Sequence, residues 1–323
     1  MTTPVLLRFL EATPKKGWLA IACLSAVIAT MLALHLFTPD GSALHVSDYV
    51  ITVGGKIMCY AIVAVAMDLI WGYAGILSLG HGVFFALGGY AFGMYLMRGI
   101  GHDGVYQTSL PDFMVFLDWK QLPWYWSGSD HFLWAVLMVL VVPALLALVF
   151  GYFAFRSRIK GVYFSIITQA MTYAFMLLFF RNETGFGGNN GFTDFKRILG
   201  YDITTPGMRV TLFAATAATL LATLLLGRYL MTSKFGRVLT AIRDAESRVM
   251  FIGYNPLGYK LFIWTLSAVL CGIAGALYVP QVGIINPGEM SPANSIEIAI
   301  WVAVGGRGTV SYTHLTLPTI LRV

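Results

Sequence analysis

MCYAIVAVAMDLIWGYAGILSLGHGVFFALGGYAFGMYLM, residues 58–97, is the stretch whose reading decides the fold. Asp68 is its only formal charge, and seven glycines stand at positions 72, 75, 80, 82, 88, 89 and 93. A glycine costs a helix about 1 kcal/mol relative to alanine, because it surrenders more backbone freedom on folding. So many in one apolar run require a structural reason. The residues predict two membrane-length stretches hinged at Trp71-Gly72-Tyr73-Ala74-Gly75, the second of them a helix broken inside the membrane beside a solute path.

Composition agrees with a lipid solvent. Of 323 residues, 58% are hydrophobic and 11% charged, more apolar surface than one aqueous core could hide. A transmembrane helix needs about 20 mainly apolar residues. Such stretches fall near 17–38, 50–71, 74–97, 132–155, 162–180, 210–231, 260–280 and from 296 onward. The expected fold is an all-α integral membrane protein: a polytopic helical bundle of about eight spans, with a glycine-broken third span and a single transmembrane domain over residues 1–309. The first apolar stretch, behind Arg8, Lys15 and Lys16, is too long for a signal peptide and reads as a retained anchor.

Charge placement orients the bundle. With the N-terminus in the cytoplasm, the inside segments 1–16, 71–74, 156–161 and 232–260 carry eleven Lys or Arg, against six in the longer outside segments. That is the positive-inside pattern. The net charge of +6 is thus spread over loops and forms no nucleic-acid-binding face. Cys23, Cys59 and Cys271 lie in apolar stretches without metal or redox spacing and read as inert thiols. The only Gly-Lys, Gly55-Lys56, lacks the rest of a phosphate-binding loop, and neither a HExxH nor a GxSxG pattern occurs. No catalytic residue, metal site or cofactor is expected, and any ATP would be bound by other subunits.

Three regions carry chemistry. Segment 234–259, KFGRVLTAIRDAESRVMFIGYNPLGY, is the most polar long piece of the chain. Val238, Ile242, Ala245, Val249 and Ile252 recur at helical spacing, predicting an amphipathic helix closed by Gly253 and Pro256. A helix lying on lipid headgroups is the plain reading; Asp244 and Glu246 fit a protein partner better. In the broken span, glycines flanking His81 free backbone groups, and a histidine inside the membrane is costly without a role. Ser78, Gly80, His81 and Gly82 are therefore candidates for the solute path, whereas Gly88, Gly89 and Gly93 read as a close-packing face. Lys56 and Asp68 lie near span ends, where snorkelling or a local partner accounts for them, and Glu297 begins the last span at the outer face. In the outer loop 181–195, Asn189 and Asn190 among glycines make either an ordinary turn or a hydrogen-bonding surface for a polar solute or a docking protein. Aromatic residues at 113–126 read as an interfacial belt.

The run GRVLTAIRDAES at 236–247, with Gly253 and then Tyr259-Lys260, resembles the coupling loop of ABC importer permeases of the branched-chain amino acid type. Leu77-Ser78-Leu79-Gly80-His81-Gly82 and Gly306-Arg307-Gly308-Thr309 resemble motifs of the same family. Within it, PDFMVFLDW and LPWYW at 111–126, together with residues 150–195 and 278–309, are similar to urea transporter permeases. The resemblance runs from about residue 50 to 309. It implies a multi-pass subunit of a bacterial inner membrane that imports urea by alternating access. Its implied partners are a second homologous permease, two ATPase subunits that bind the ATP, and an extracytoplasmic substrate-binding protein. Gly236, Arg237, Ala241, Arg243, Asp244, Glu246 and Gly253 would carry ATPase coupling. The resemblance also draws Asn189 and Asn190 toward the periplasmic mouth. Where the general importer loop begins Glu-Ala-Ala, this chain has Glu246-Ser247-Arg248.

Three rivals stay open on the sequence: a branched-chain amino acid importer permease; a passive urea or ammonia channel, which would have no use for a docking loop; and a membrane scaffold or assembly protein, which would not need the glycine-broken third span. Residues 310–323 depart from the family and are similar to translated adapter sequence, so they are expected to be a non-native tail on a truncated C-terminus.

Overall fold

The computed structural model describes residues 15–308 except 40, 41 and 43, and only the backbone of Lys15, Lys16 and His102. The expected tail at 310–323 lies outside the described residues, as does Thr309 of the Gly306–Thr309 motif. Among the described residues six helices are long and apolar enough to cross a membrane. They are α1 (Lys15–Phe37), α2 (Asp48–Ala74), α5 (Phe132–Arg156), α6 (Val162–Phe180), α7 (Pro206–Thr232) and α9 (Pro256–Val282). The other two expected spans are the shorter helices α3 (His81–Arg98) and α10 (Pro292–Gly306). A short α4 (Asp112–Phe116) lies in the aromatic loop, and α8 (Lys234–Phe251) is the amphipathic helix.

The two short helices follow two breaks of one design. Helices α2 and α9, each of 27 residues, end at Gly75 and Gly283, whose φ angles of +70° and +79° admit the left-handed turn that a side chain would strain. The chain then re-enters the bundle without α-helix, over 75–80 in one case and, with a strand pair and a 3-10 turn, over 283–291 in the other, before α3 and α10 begin. Because α2 ends at the side where α8 lies and α9 starts there, the two units run in opposite directions.

Bond geometry gives the depth at which they restart. His81, first residue of α3, is bonded to Ser267, eleven residues into α9, and Ser267 in turn to Ala66, eight residues before the end of α2. At 1.5 Å per residue these lie about 16 and 12 Å from the α8 ends of helices about 40 Å long. That is inside a hydrocarbon layer of about 30 Å. The N–H of Gly82 donates to Ser295 Oγ at 3.1 Å, so the first turn of α10 sits at the same depth. Glu297, two residues further along α10, is therefore in the membrane interior and not at the outer face as its sequence position suggested.

The core is the contact of α3 with α9. A Cβ on Gly88 would fall on the Gly272 carbonyl, and one on Gly275 on the Phe85 carbonyl, so the two backbones touch directly. Gly88 thus does the packing work expected of it. Helices α2 and α9 bury 61% of their most apolar windows, α1 only 6%. Apolarity alone therefore does not mark the centre; the glycine-rich helices take it because small residues allow the closest approach.

Candidate translocation site and coupling surface

The broken segment 75–80 leaves backbone polar groups that the membrane interior cannot hydrate. A stripe on α6 supplies partners. Ser165 Oγ donates to Leu77 O at 2.8 Å, and Leu79 N–H donates to Thr168 Oγ1 at 3.0 Å. Both side chains are buried, with Thr172 on the same face. Ser78 accepts from Gly80 N–H at 3.1 Å, closing a local turn. Ser78, Gly80, His81 and Gly82 are thus brought together, all four buried.

The tautomer of His81 follows from counting protons. Ser267 Oγ spends its one hydrogen on Ala66 O at 2.7 Å, so it must accept from His81 Nε2–H at 3.0 Å. Nδ1 is then the unprotonated nitrogen, near the Ser78 backbone and without a well-formed hydrogen bond. Phe84 and Trp264 stand edge-on to the ring at 6.5 and 6.1 Å. In this state His81 ties α3 to α9 and α2 from a dry site.

Asn189 and Asn190 are not part of this cluster. They are exposed in a loop at the opposite end of the bundle from α8, tethered by pairing of Phe192–Thr193 with Ile284–Ile285. Gly187, Gly188 and Gly191 there take positive φ, making a compact turn rather than an adaptable coil. The aromatic loop splits in two. Trp124 is 84% exposed, as a belt residue would be, but Trp126 is buried and donates to Gly185 O at 3.1 Å. With Tyr90, Phe179, Phe186 and Phe192 it caps α3 and α6.

The residues expected to carry coupling divide into an exposed and an anchoring set. Arg237, Ala241, Asp244 and Gly253 are exposed, Arg243 is exposed but anchored, and Gly236 is buried where α8 turns tightly against Met231. Leu239, Ile242 and Val249 bury the apolar side of α8. The single continuous helix predicted from periodicity is interrupted: Ala245 has φ −155° and ψ 69°, and Ile252 is exposed. Beside the kink Glu246 turns inward to Lys260 Nζ at 2.6 Å and to Lys160, pinning α8 to α9 and to the α5–α6 turn. Burial pushes the Glu246 carboxyl up, but hydrogen bonds and charge from Lys160 and Lys260 outweigh it and hold the group below the ordinary glutamate range. Arg243 reaches the other way. Its Nη1 donates to Gly72 O at 2.7 Å, a C-terminal carbonyl of α2 where a cation is favoured, and its stem covers Gly75. A cavity of about 150 Å³ lies between these contacts, lined by Gly75, Ile76, Gly161, Arg243 and Glu246 among others.

The Arg307 motif finds a structural role at the same place. Gly308 N–H donates to Asp68 Oδ1 at 2.8 Å, and Arg307 stacks over Trp71 at 5.2 Å. Asp68 thus has the local partner expected of it.

Sequence reasoning missed two sets of residues. One is the α6 stripe, whose signal was Ser165, Thr168 and Thr172 at spacings of three and four in an otherwise apolar helix. The other is Tyr60, Tyr278 and Glu289, near Lys56. Glu289 lies between the expected spans 260–280 and 296 onward, yet the re-entrant chain carries its carbonyl down to Gly82.

Comparison with known proteins agrees with this architecture. The family described as "Branched-chain amino acid transport system / permease component" matches residues 49–315. The high-affinity branched-chain amino acid transport system permease proteins LivM of Salmonella typhimurium and Escherichia coli are 24% and 26% identical over 275 and 276 residues. Each alignment covers 78% of this chain and 57% of the relative, so the chain spans little more than half the length of those proteins. These relatives are membrane permeases, not enzymes. No solved structure matches the chain. On the match over 49–315, the chain belongs to the permease-component family of branched-chain amino acid transport systems.

Proposed function

We propose that this chain is the permease subunit of an ABC importer that moves a small polar solute across a bacterial inner membrane by alternating access. The observation that carries the reading is the Arg243–Gly72 bond, which joins an exposed, charged helix to the start of the broken segment. Displacement of α8 by an ATPase docked on Arg237, Ala241, Arg243 and Asp244 would pull on Gly72–Gly75. Six residues later the chain reaches His81 at mid-depth. A force applied outside the membrane is thus delivered to the ends of two half-helices. The basic bias of 156–161 and 232–260, joined by Lys160 and Glu246, supports placing the α8 end in the cytoplasm.

The partners in this reading are a second homologous permease, two ATPase subunits that bind ATP, and an extracytoplasmic substrate-binding protein, for which Asn189 and Asn190 are exposed at the far end. The solute has N–H donors beside an oxygen acceptor, a class that includes both urea and branched-chain amino acids. Urea is supported by the sequence likeness at 111–126, 150–195 and 278–309; a branched-chain amino acid is supported by the family and by the names of both relatives.

Uptake of radiolabelled urea and leucine tests the proposal in cells carrying the gene with its neighbouring subunits, beside Arg243→Glu and Glu246→Arg. ATP-dependent uptake of either solute, reduced at least tenfold in the variants, is the expected result. Urea entry indifferent to ATP and to both variants would replace the importer with a channel.

A further inference from the structure

Polar side chains at membrane depth ordinarily have partners, and most in this chain do. Gln281, for example, donates to Thr216 Oγ1 at 2.8 Å and to Leu277 O at 2.7 Å. Lys56 and Glu289 depart from this pattern. Lys56 lies eight residues, about 12 Å, into α2. It is partly buried, and among the described residues it makes no hydrogen bond or ion pair. Its ammonium stands 6.0 and 5.9 Å from the ring centroids of Tyr60 and Tyr278, at the limit of a cation–π contact. Tyr278 donates to Glu289 Oε1 at 3.1 Å and Tyr60 lies 3.4 Å behind it, and among the described residues Oε2 of Glu289 accepts no hydrogen bond.

Other groups at this place are also short of partners. The Trp301 indole, 3% exposed and 5.7 Å from the Tyr60 ring, has an Nε1–H with no acceptor. Glu297 is exposed on the same helix as Trp301, close enough to Tyr60 to act on it electrostatically. Hydrocarbon penalises a face carrying Lys56, Glu289 and Glu297. Water and a polar solute do not.

We infer that Lys56 and Glu289, bridged by Tyr60 and Tyr278, form a solute subsite on the α2–α10 face, inside the membrane. The ammonium donates to an oxygen of the solute, and the carboxylate accepts from its N–H groups. The subsite therefore takes a small molecule that presents an amide-like or ammonium N–H next to a carbonyl or carboxylate. This rests on the permease reading and deepens it, because it places solute contact on charged side chains beside the dry His81 cluster.

The test uses the assembled importer in native membranes, with Glu297→Cys as reporter in a Cys23→Ser background; Cys59 and Cys271 are buried. A charged, membrane-impermeant thiol reagent should label position 297, and urea or leucine should slow labelling at least threefold. Lys56→Met and Glu289→Gln should raise the half-protecting concentration at least tenfold, and Lys56→Arg should leave it within threefold. Co-purification of the partner subunits establishes that each variant is assembled. Protection by leucine assigns a zwitterion and protection by urea a neutral amide; either supports the subsite. No labelling, labelling that neither solute slows, or unchanged protection in both variants overturns it. Uptake is measured on the same membranes: protection without uptake keeps the subsite and removes the permease reading, and uptake without protection does the reverse.

Discussion

The two broken units share a backbone plan and differ in what fills the break. At 75–80 the freed groups are met by neutral hydroxyls of Ser165, Thr168 and Ser78, and His81 is enclosed. At 283–291 the chain makes a 3-10 turn over Pro287–Met290 that carries Glu289, with Asn294 Nδ2 donating back to Gly288 O at 3.1 Å. The first break is met by neutral, buried hydroxyls and cross-tied to three helices; the second carries a carboxylate. In the proposed mechanism one device serves two ends: the first break receives the pull of α8, and the second contributes a charged side chain to the solute subsite.

The largest effect should come from separating the two units. Gly88→Leu or Gly275→Leu would drive a side chain into the facing carbonyl backbone, and no flexible side chain is there to yield. We expect loss of monodisperse protein after detergent extraction. Gly283→Ala is the contrast, since nothing lies near its Cβ and only the left-handed turn is strained. It should cost about 1–2 kcal/mol, read as a modest shift in thermal denaturation. Equal outcomes for these variants would mean that backbone contact between α3 and α9 does not hold the units together.

Next come the hydroxyls at the first break. Thr168→Val removes the acceptor of Leu79 N–H, and Ser295→Ala that of Gly82 N–H, each in a buried place. A stranded buried donor costs about 1–3 kcal/mol, and both variants should show it in equilibrium unfolding. Asn294→Ala at the second break removes a bond to a partly exposed carbonyl, where water can substitute. Its cost should stay near about 1 kcal/mol. If Asn294→Ala proved as costly as Thr168→Val, the Gly288 carbonyl would be as closed to water as the Leu79 amide.

This asymmetry explains which parts were legible in the sequence. Hydropathy and glycine placement located the helices and the first break, because Gly72 to Gly82 interrupt an otherwise continuous apolar run. The second break hid in plain polarity: Asn286, Glu289, Ser291 and Asn294 look like any outer loop, and only the bond of Gly82 to Ser295 carries that loop into the membrane. Periodicity found the buried Ile242 and Val249 of α8 but could not find the kink at Ala245. Beside it Glu246 faces two lysines, one of them from a turn 86 residues earlier in the chain (246 − 160). Long-range pairing of that kind leaves no local pattern. For the same reason His81 could be marked as costly without its partner Ser267 being named.

The smallest expected effect concerns the anchor of α8. Glu246 is held ionised by Lys160 and Lys260, so its folded pKa lies below the unfolded value of about 4.3. A lowered carboxylate pKa contributes stability that is fully present above the unfolded value and is lost as pH falls through the folded one. The pair with Lys160 is partly exposed, and the effect should stay within about 1 kcal/mol. Hydrogen exchange of the 234–251 amides should therefore quicken severalfold on acidification through and below that value. In Glu246→Gln it should already be fast and indifferent to pH over the same range. Amides of α3, where the buried neutral His81 brings its own response to acid, should respond alike with and without Glu246→Gln, because that carboxylate does not hold them. Loss of the Glu246 anchor alone would leave the first break intact and free only α8. If Glu246→Gln loosened α3 together with α8, the anchor would belong to the core, and the division between the first break and the helix that pulls on it would have to be redrawn.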